Sequence, residues 1–138
     1  MYPYTYSISL RFRHPNIDLM YIGGLLGLQP NRIWKAGEPR RTPKDTPLEG
    51  INKESYWCGR LTNDREKSEK CSLEAKLTDW TTKLSTHKTD FDKLLAGGGR
   101  IEFFIWIYCE QNLGFELNHN LLANIASLGI TLGIVCDP

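Results

Sequence analysis

This chain has almost no excess charge: seventeen Lys and Arg against sixteen Asp and Glu leave a formal net charge of +1 over 138 residues. A chain whose main work is on duplex DNA or an anionic membrane surface carries a basic excess. Neither partner is therefore expected, and nucleic acid in general is disfavoured. Long apolar runs are also missing. No segment approaches the roughly 18 consecutive apolar residues of a membrane span, and Met1 to Phe12 lacks the basic start and unbroken apolar stretch of a signal peptide. A cytoplasmic location is the expectation. Cysteine is sparse and scattered. Cys58, Cys71, Cys109 and Cys136 form no C-x-x-C pair, which argues against a zinc ribbon or a thioredoxin-type motif and for free thiols. Cys109 and Cys136 become neighbours only if their strands pair.

Motifs of catalysis are absent as well. There is no G-x-S-x-G, H-E-x-x-H, P-loop or G-x-G-x-x-G, so neither an enzyme nor a bound cofactor or metal is expected. His14, His87 and His119 are far apart in sequence. Glu102 and Glu110 share one side of a strand, but eight extended residues separate them by about 26 Å, too far for paired acid–base work. With 41% hydrophobic and 24% charged residues, the chain has the composition of an ordinary globule. Its length predicts one domain over 1–138.

What is present is patterning. Tyr4, Tyr6, Ile8, Leu10 and Phe12 alternate with Thr5, Ser7, Ser9, Arg11 and Arg13, the period-two mark of a half-buried strand. Asp18 reads as the N-cap of a helix, with Ile17 and Ile22 as its hydrophobic staple, Gly27 as its C-cap and Pro30 barring continuation. Gly23 and Gly24 weaken that helix, which suggests that something packs close to its backbone. Leu73, Leu77, Trp80, Leu84, His87, Phe91 and Leu94 follow steps of four and three, a helical stripe started by Ser72. A break within Ser85 to Thr89, with Thr89 or Asp90 capping a second short helix, is the alternative. Ile101 to Cys109 reads as a central strand, Asn118 as the cap of a helix closed by Gly129, and Thr131 to Cys136 as the last strand. The pattern predicts an α+β fold: a single layer of about four strands, mainly antiparallel, with helices packed on one face, a variant of the ferredoxin-like arrangement.

Two candidate surfaces follow. The segment Leu28 to Lys44 carries Arg32, Lys35, Arg40, Arg41 and Lys44 against Glu38, a local charge of +4. It is either an anion-holding loop or a solvated loop pinned by Ile33 and Trp34 in the core. The second surface is the open face of the sheet. If Ile101, Phe103, Ile105 and Ile107 point at the helices, Phe104, Trp106 and Tyr108 share the other face with Arg11 and Arg13. Trp, Tyr and Arg dominate interface hot spots, and such a patch is rarely left bare on a monomer.

The first strand, the run L-G-L-Q-P with R-I-W-K-A-G, the Tyr56–Trp57 pair, and I-E-F-F-I-W-I-Y followed by the leucine-rich helix resemble a small bacterial family known as a domain of unknown function. The set Pro30, Trp34 and Gly37 in L-G-L-x-P-x-x-x-W-x-x-G carries most of the likeness, which runs over most of the chain; the charged segment Asn63 to Lys76 is longer than the family's usual spacing. The family's members resemble the small proteins from which toxin-neutralising immunity proteins are drawn, so the resemblance implies a protein partner such as a cognate toxin. The expectation is a non-enzymatic module acting through Arg11, Arg13, Phe104, Trp106 and Tyr108 or through Arg32, Lys35, Arg40 and Arg41, with a second copy of the chain as another candidate to cover the face. The competing expectation is a binder of single-stranded RNA or nucleotides, whose bases would stack on the sheet aromatics.

Overall fold

The structure, a computed structural model, describes residues 2–138. Strand β1, Thr5–His14, buries every second residue, and β7, Arg100–Tyr108, does the same. The two pair antiparallel with Ile8 opposite Ile105 and Leu10 opposite Phe103, so their apolar residues fall on one face. Four helices cover that face: α1 (Tyr21–Leu26), α2 (Leu73–Leu84), α3 (Lys88–Ala96) and α4 (His119–Ser127). Ile22, Leu77, Phe91 and Leu121, one from each helix, join the strand residues in a single buried cluster. Each such side chain removed from water contributes about 1.5–3 kcal/mol, which is why the amphipathic stripes settle there.

The remaining strands are β2 (Arg32–Trp34), β3 (Pro39–Arg41), β4 (Pro47–Ile51), β5 (Ser55–Arg60), β6 (Glu66–Lys67) and β8 (Ile130–Asp137). The main sheet has six strands in the order β2-β5-β1-β7-β8, with β6 also on β1, while β3 and β4 form a separate two-stranded hairpin. The expected single layer of about four mainly antiparallel strands is therefore corrected on two counts. The sheet is larger because β2 and β6, three and two residues long, are too short to show an alternation, and the hairpin is exposed along both strands, so it reads as loop. The sheet is mixed because β8 runs parallel to β7. Neighbouring parallel strands need a crossover, and α4 supplies it. That pair takes the fold away from the ferredoxin-like pattern.

Local expectations fare unevenly. Ser72 and Asn118 cap α2 and α4 by accepting from Ala75 N and Leu121 N. The break in the long stripe is real: Ser85–His87 is a 3₁₀ turn and α3 begins at Lys88 without a side-chain cap from Thr89 or Asp90. Asp18 is not the N-cap of α1, because its carboxylate accepts from Met20 N before the helix begins. Gly27 ends that helix with φ +67°. Of the paired glycines, only Gly23 is pressed: a Cβ there would lie 2.8 Å from Leu28 O, while one on Gly24 would meet open space. Cys136 lies opposite Ile107 in the β7–β8 pair, and all four thiols are free. Among the described residues no helix is long and apolar enough to cross a membrane.

Candidate interaction face of the sheet

The register that buries one face fixes the other. Across β2, β5, β1 and β7 the outward residues form rows: Trp34, Tyr56, Arg13 and Arg100; then Arg32, Cys58, Arg11 and Glu102; then Arg60, Ser9 and Phe104; then Ser7 and Trp106; then Thr5 and Tyr108. Among the described residues no helix covers these rows, since the helices share the cluster on the opposite side. Arg11, Arg13, Phe104, Trp106 and Tyr108 thus lie together as the alternation predicts. Alternation alone did not bring in Trp34, Tyr56, Cys58, Arg60, Arg65 or Arg100.

Four arginines on this face each lie over a ring. The Arg11 guanidinium lies 3.7 Å over the Phe104 ring, Arg13 4.8 Å over Tyr56, Arg32 5.2 Å over Trp34, and Arg65 3.6 Å over Tyr108. Trp34 in turn stacks on Tyr56 at 4.4 Å, so Trp34, Tyr56 and Arg13 form one continuous stack. Carboxylates then neutralise one end. Glu54 pairs with Arg13 at 3.3 Å and Arg100 at 3.1 Å, and Glu102 with Arg11 at 3.4 Å. Cation–π contacts and surface ion pairs are each worth about 1 kcal/mol or less when wet. Their main effect is order, because long side chains are held in defined places before anything binds.

Burial pushes the Tyr56 phenol up to about 12, with Cys58 beside it adding and Arg11 and Arg13 opposing. Tyr56 therefore stays neutral at physiological pH. Two donors on this face, Arg11 Nε and Trp106 Nε1, are buried without an acceptor.

Of the basic segment after Pro30, Arg32, Lys35 and Arg41 line one groove of about 510 Å³ together with Glu38 and Asp45, and Arg40 lies outside it. Arg32 joins the sheet face and donates to Arg41 O at 2.7 Å. Arg40 and Arg41 belong to the hairpin, where Arg40 donates to Glu49 O and Arg41 pairs with Asp45. Lys35 is exposed at the end of β2, its carbonyl accepting from Asn52 Nδ2. The expected pinning of this segment in the core is also corrected. Ile33 is 38% exposed, and Trp34 lies on the outer face with Nε1 donating to Glu54 O at 3.0 Å. Ile33 stands opposite the buried Trp57 and Trp34 opposite Tyr56, so the alternation along β2 turns the Trp34 ring outward.

Elsewhere, His14 is buried and its Nδ1 accepts from the amides of Asn16 and Ile17, which makes it a turn-former. Among the described residues no three His, Cys, Asp or Glu side chains converge as metal ligands. A groove of about 430 Å³ between α2 and α4 is lined by hydroxyls and amides, including Thr81 and Asn124. Several of its hydroxyls are spent on their own helix, as Thr78 Oγ1 donates to Glu74 O and Thr82 Oγ1 to Thr78 O.

No curated protein and no solved structure matches the chain. A family model does match, over residues 4–137, so it spans every strand and helix of the fold and the whole open face. The chain belongs to the family described as Domain of unknown function (DUF4279).

Proposed function

We propose that this protein is a non-enzymatic binding module that lays its open sheet face against a partner protein, and that the partner is a bacterial toxin whose active site it occludes. The observation that carries the reading is the face of paired arginines and aromatic rings across β2, β5, β1 and β7, left bare by the helices. Arg, Trp and Tyr are the residue types that carry binding energy at protein interfaces. Guanidiniums already parked on rings lose little freedom on contact, which lowers the ordering cost of association. The cationic character of the face favours an acidic partner surface. The toxin as partner rests on the resemblance to immunity-type proteins.

The same arrangement weighs against single-stranded RNA or nucleotides. Base stacking needs free ring faces, and Phe104, Tyr56, Tyr108 and Trp34 each already carry a guanidinium over one face.

The test is co-expression with the product of the adjacent reading frame, followed by affinity measurement on the purified pair. A complex that Trp106→Ala weakens by 30-fold or more, about 2 kcal/mol, with little change in the unfolding temperature, supports the reading. A complex indifferent to Trp106→Ala and Arg11→Ala, or low-salt oligonucleotide binding in place of protein binding, overturns it.

A further inference from the structure

The open face has a depression at one end. Strand β5 leaves β1 after Arg60, opposite Ser9, and β6 rejoins it at Tyr6. Between them residues 61–65 leave the ladder. Leu61 N donates to Ile8 O, and Thr62 Oγ1 accepts from the Ile8 amide, which replaces the missing strand partner. The detour raises one wall beside β1, from which Arg65 reaches across to Tyr108. Phe104, Trp106 and Tyr108 form the opposite wall, and the small side chains of Ser7 and Ser9 leave the floor low between them. The result is a cleft of about 290 Å³.

The charge in this cleft is not balanced. Arg11, Arg60 and Arg65 line it and Asp64 is its acidic residue; Arg11 is tied to Glu102 outside it. Three guanidiniums facing two carboxylates leave one positive charge. Among the described residues neither Arg60 nor Arg65 pairs with a carboxylate. Two further donors, Arg11 Nε and Trp106 Nε1, stand at the cleft residues without an acceptor. A buried donor left unpaired is costly, but both of these atoms are closed to solvent, so an incoming oxyanion meets the exposed Arg60 and Arg65 guanidiniums.

We infer that the cleft between Arg60, Arg65 and Trp106 is a carboxylate pocket that takes one aspartate or glutamate side chain of the partner; the identity of that source rests on the binding-module reading above. A single carboxylate neutralises the local charge, whereas a phosphate dianion would overshoot it. Guanidinium forks match the planar carboxylate in pairs of parallel hydrogen bonds. The cleft is lined by side chains of strands and one loop, without the helix N-terminus that phosphate sites exploit.

The experiment uses the protein alone. ¹⁵N spectra follow the indole signal of Trp106 and the Nε signals of the arginines during titration with N-acetyl-glutamate amide, its glutamine counterpart and inorganic phosphate, at matched ionic strength. The expected result is saturable shifts with the glutamate probe only. Arg60→Gln combined with Arg65→Gln should weaken it at least tenfold, while Arg40→Gln combined with Arg41→Gln in the hairpin leaves it unchanged. Equal response to the glutamine probe, tighter saturation by phosphate, no saturation, or indifference to the Arg60 and Arg65 changes each overturns the inference. Because no partner is present, failure here leaves the binding-module reading to its own test. Loss of the toxin complex would likewise not account for a carboxylate pocket seen in isolation.

Discussion

Gly23 and Gly24 stand side by side in α1 and should respond oppositely to the same change. A methyl on Gly23 meets the Leu28 carbonyl at 2.8 Å, where backbone must shift, whereas one on Gly24 meets nothing within 4 Å. Gly24→Ala is expected to stabilise by about 0.5–1 kcal/mol through the lost entropy of glycine in a helix. Gly23→Ala is expected to destabilise, and urea denaturation midpoints of the two variants decide. Tyr56 carries a second prediction at this scale. Its proton is held more tightly in the folded chain, with a pKa of about 12 against an ordinary 10.0. Below pH 10 both states keep the proton and the stabilisation is complete; as pH climbs from 10 toward 12 the unfolded chain ionises first and the stabilisation drains away. Tyr56→Phe should lessen that alkaline loss, and because burial also raises Tyr6 and Tyr21, an ultraviolet tyrosine titration should show several phenols ionising late, one fewer in the variant. A phenol that titrates near 10 would contradict the burial assigned to it.

Elements depend on contacts that their own sequences do not display. The Ile8 amide is in the middle of β1, yet its acceptor is the hydroxyl of Thr62, in the gap between β5 and β6. Thr62→Val keeps the shape and removes the acceptor, so a buried N–H is left unpaired at a cost of about 1–3 kcal/mol. Hydrogen exchange at Ile8 should quicken, and the 61–65 detour should loosen with it. Where a signal is local, the sequence was sufficient: Ser72 and Asn118 cap their helices through residues three positions away, and Ser72→Ala should cost α2 about 1 kcal/mol in a denaturant titration. Where it is not local, the reading failed. Asp18 has the residue type of a cap, but its carboxylate closes a turn on Met20. Arg40 and Arg41 look like a charged loop, but the bonds Arg40 makes to Glu49 O and Gly37 N makes to Asn52 O fold them into a hairpin.

For the molecule as a whole, near-neutral charge conceals a sorted surface. Arginine and aromatic rings gather on one side of the sheet and the buried cluster on the other. Partner binding through that side should therefore weaken as salt rises, mainly through slower association, and calorimetry or surface-binding kinetics at two ionic strengths measures it. A salt-independent complex would place the contact elsewhere.

Which residues share a face follows from local spacing. Period two along β1 and β7 and the four-three steps of α2 and α3 are properties of neighbouring residues, so the open face with Arg11, Arg13, Phe104, Trp106 and Tyr108 was legible from the chain. Which strands stand beside one another depends on the assembled fold. The pairing of Arg60 with Ser9, the reach of Arg65 to Tyr108, the outward Trp34 on Tyr56 and the parallel β8 join residues distant in sequence or set a strand's direction through a crossover. Register of that kind is fixed by the pairing that keeps the apolar residues of every strand on the buried face and by the connections between strands, so one strand's pattern does not name its neighbour.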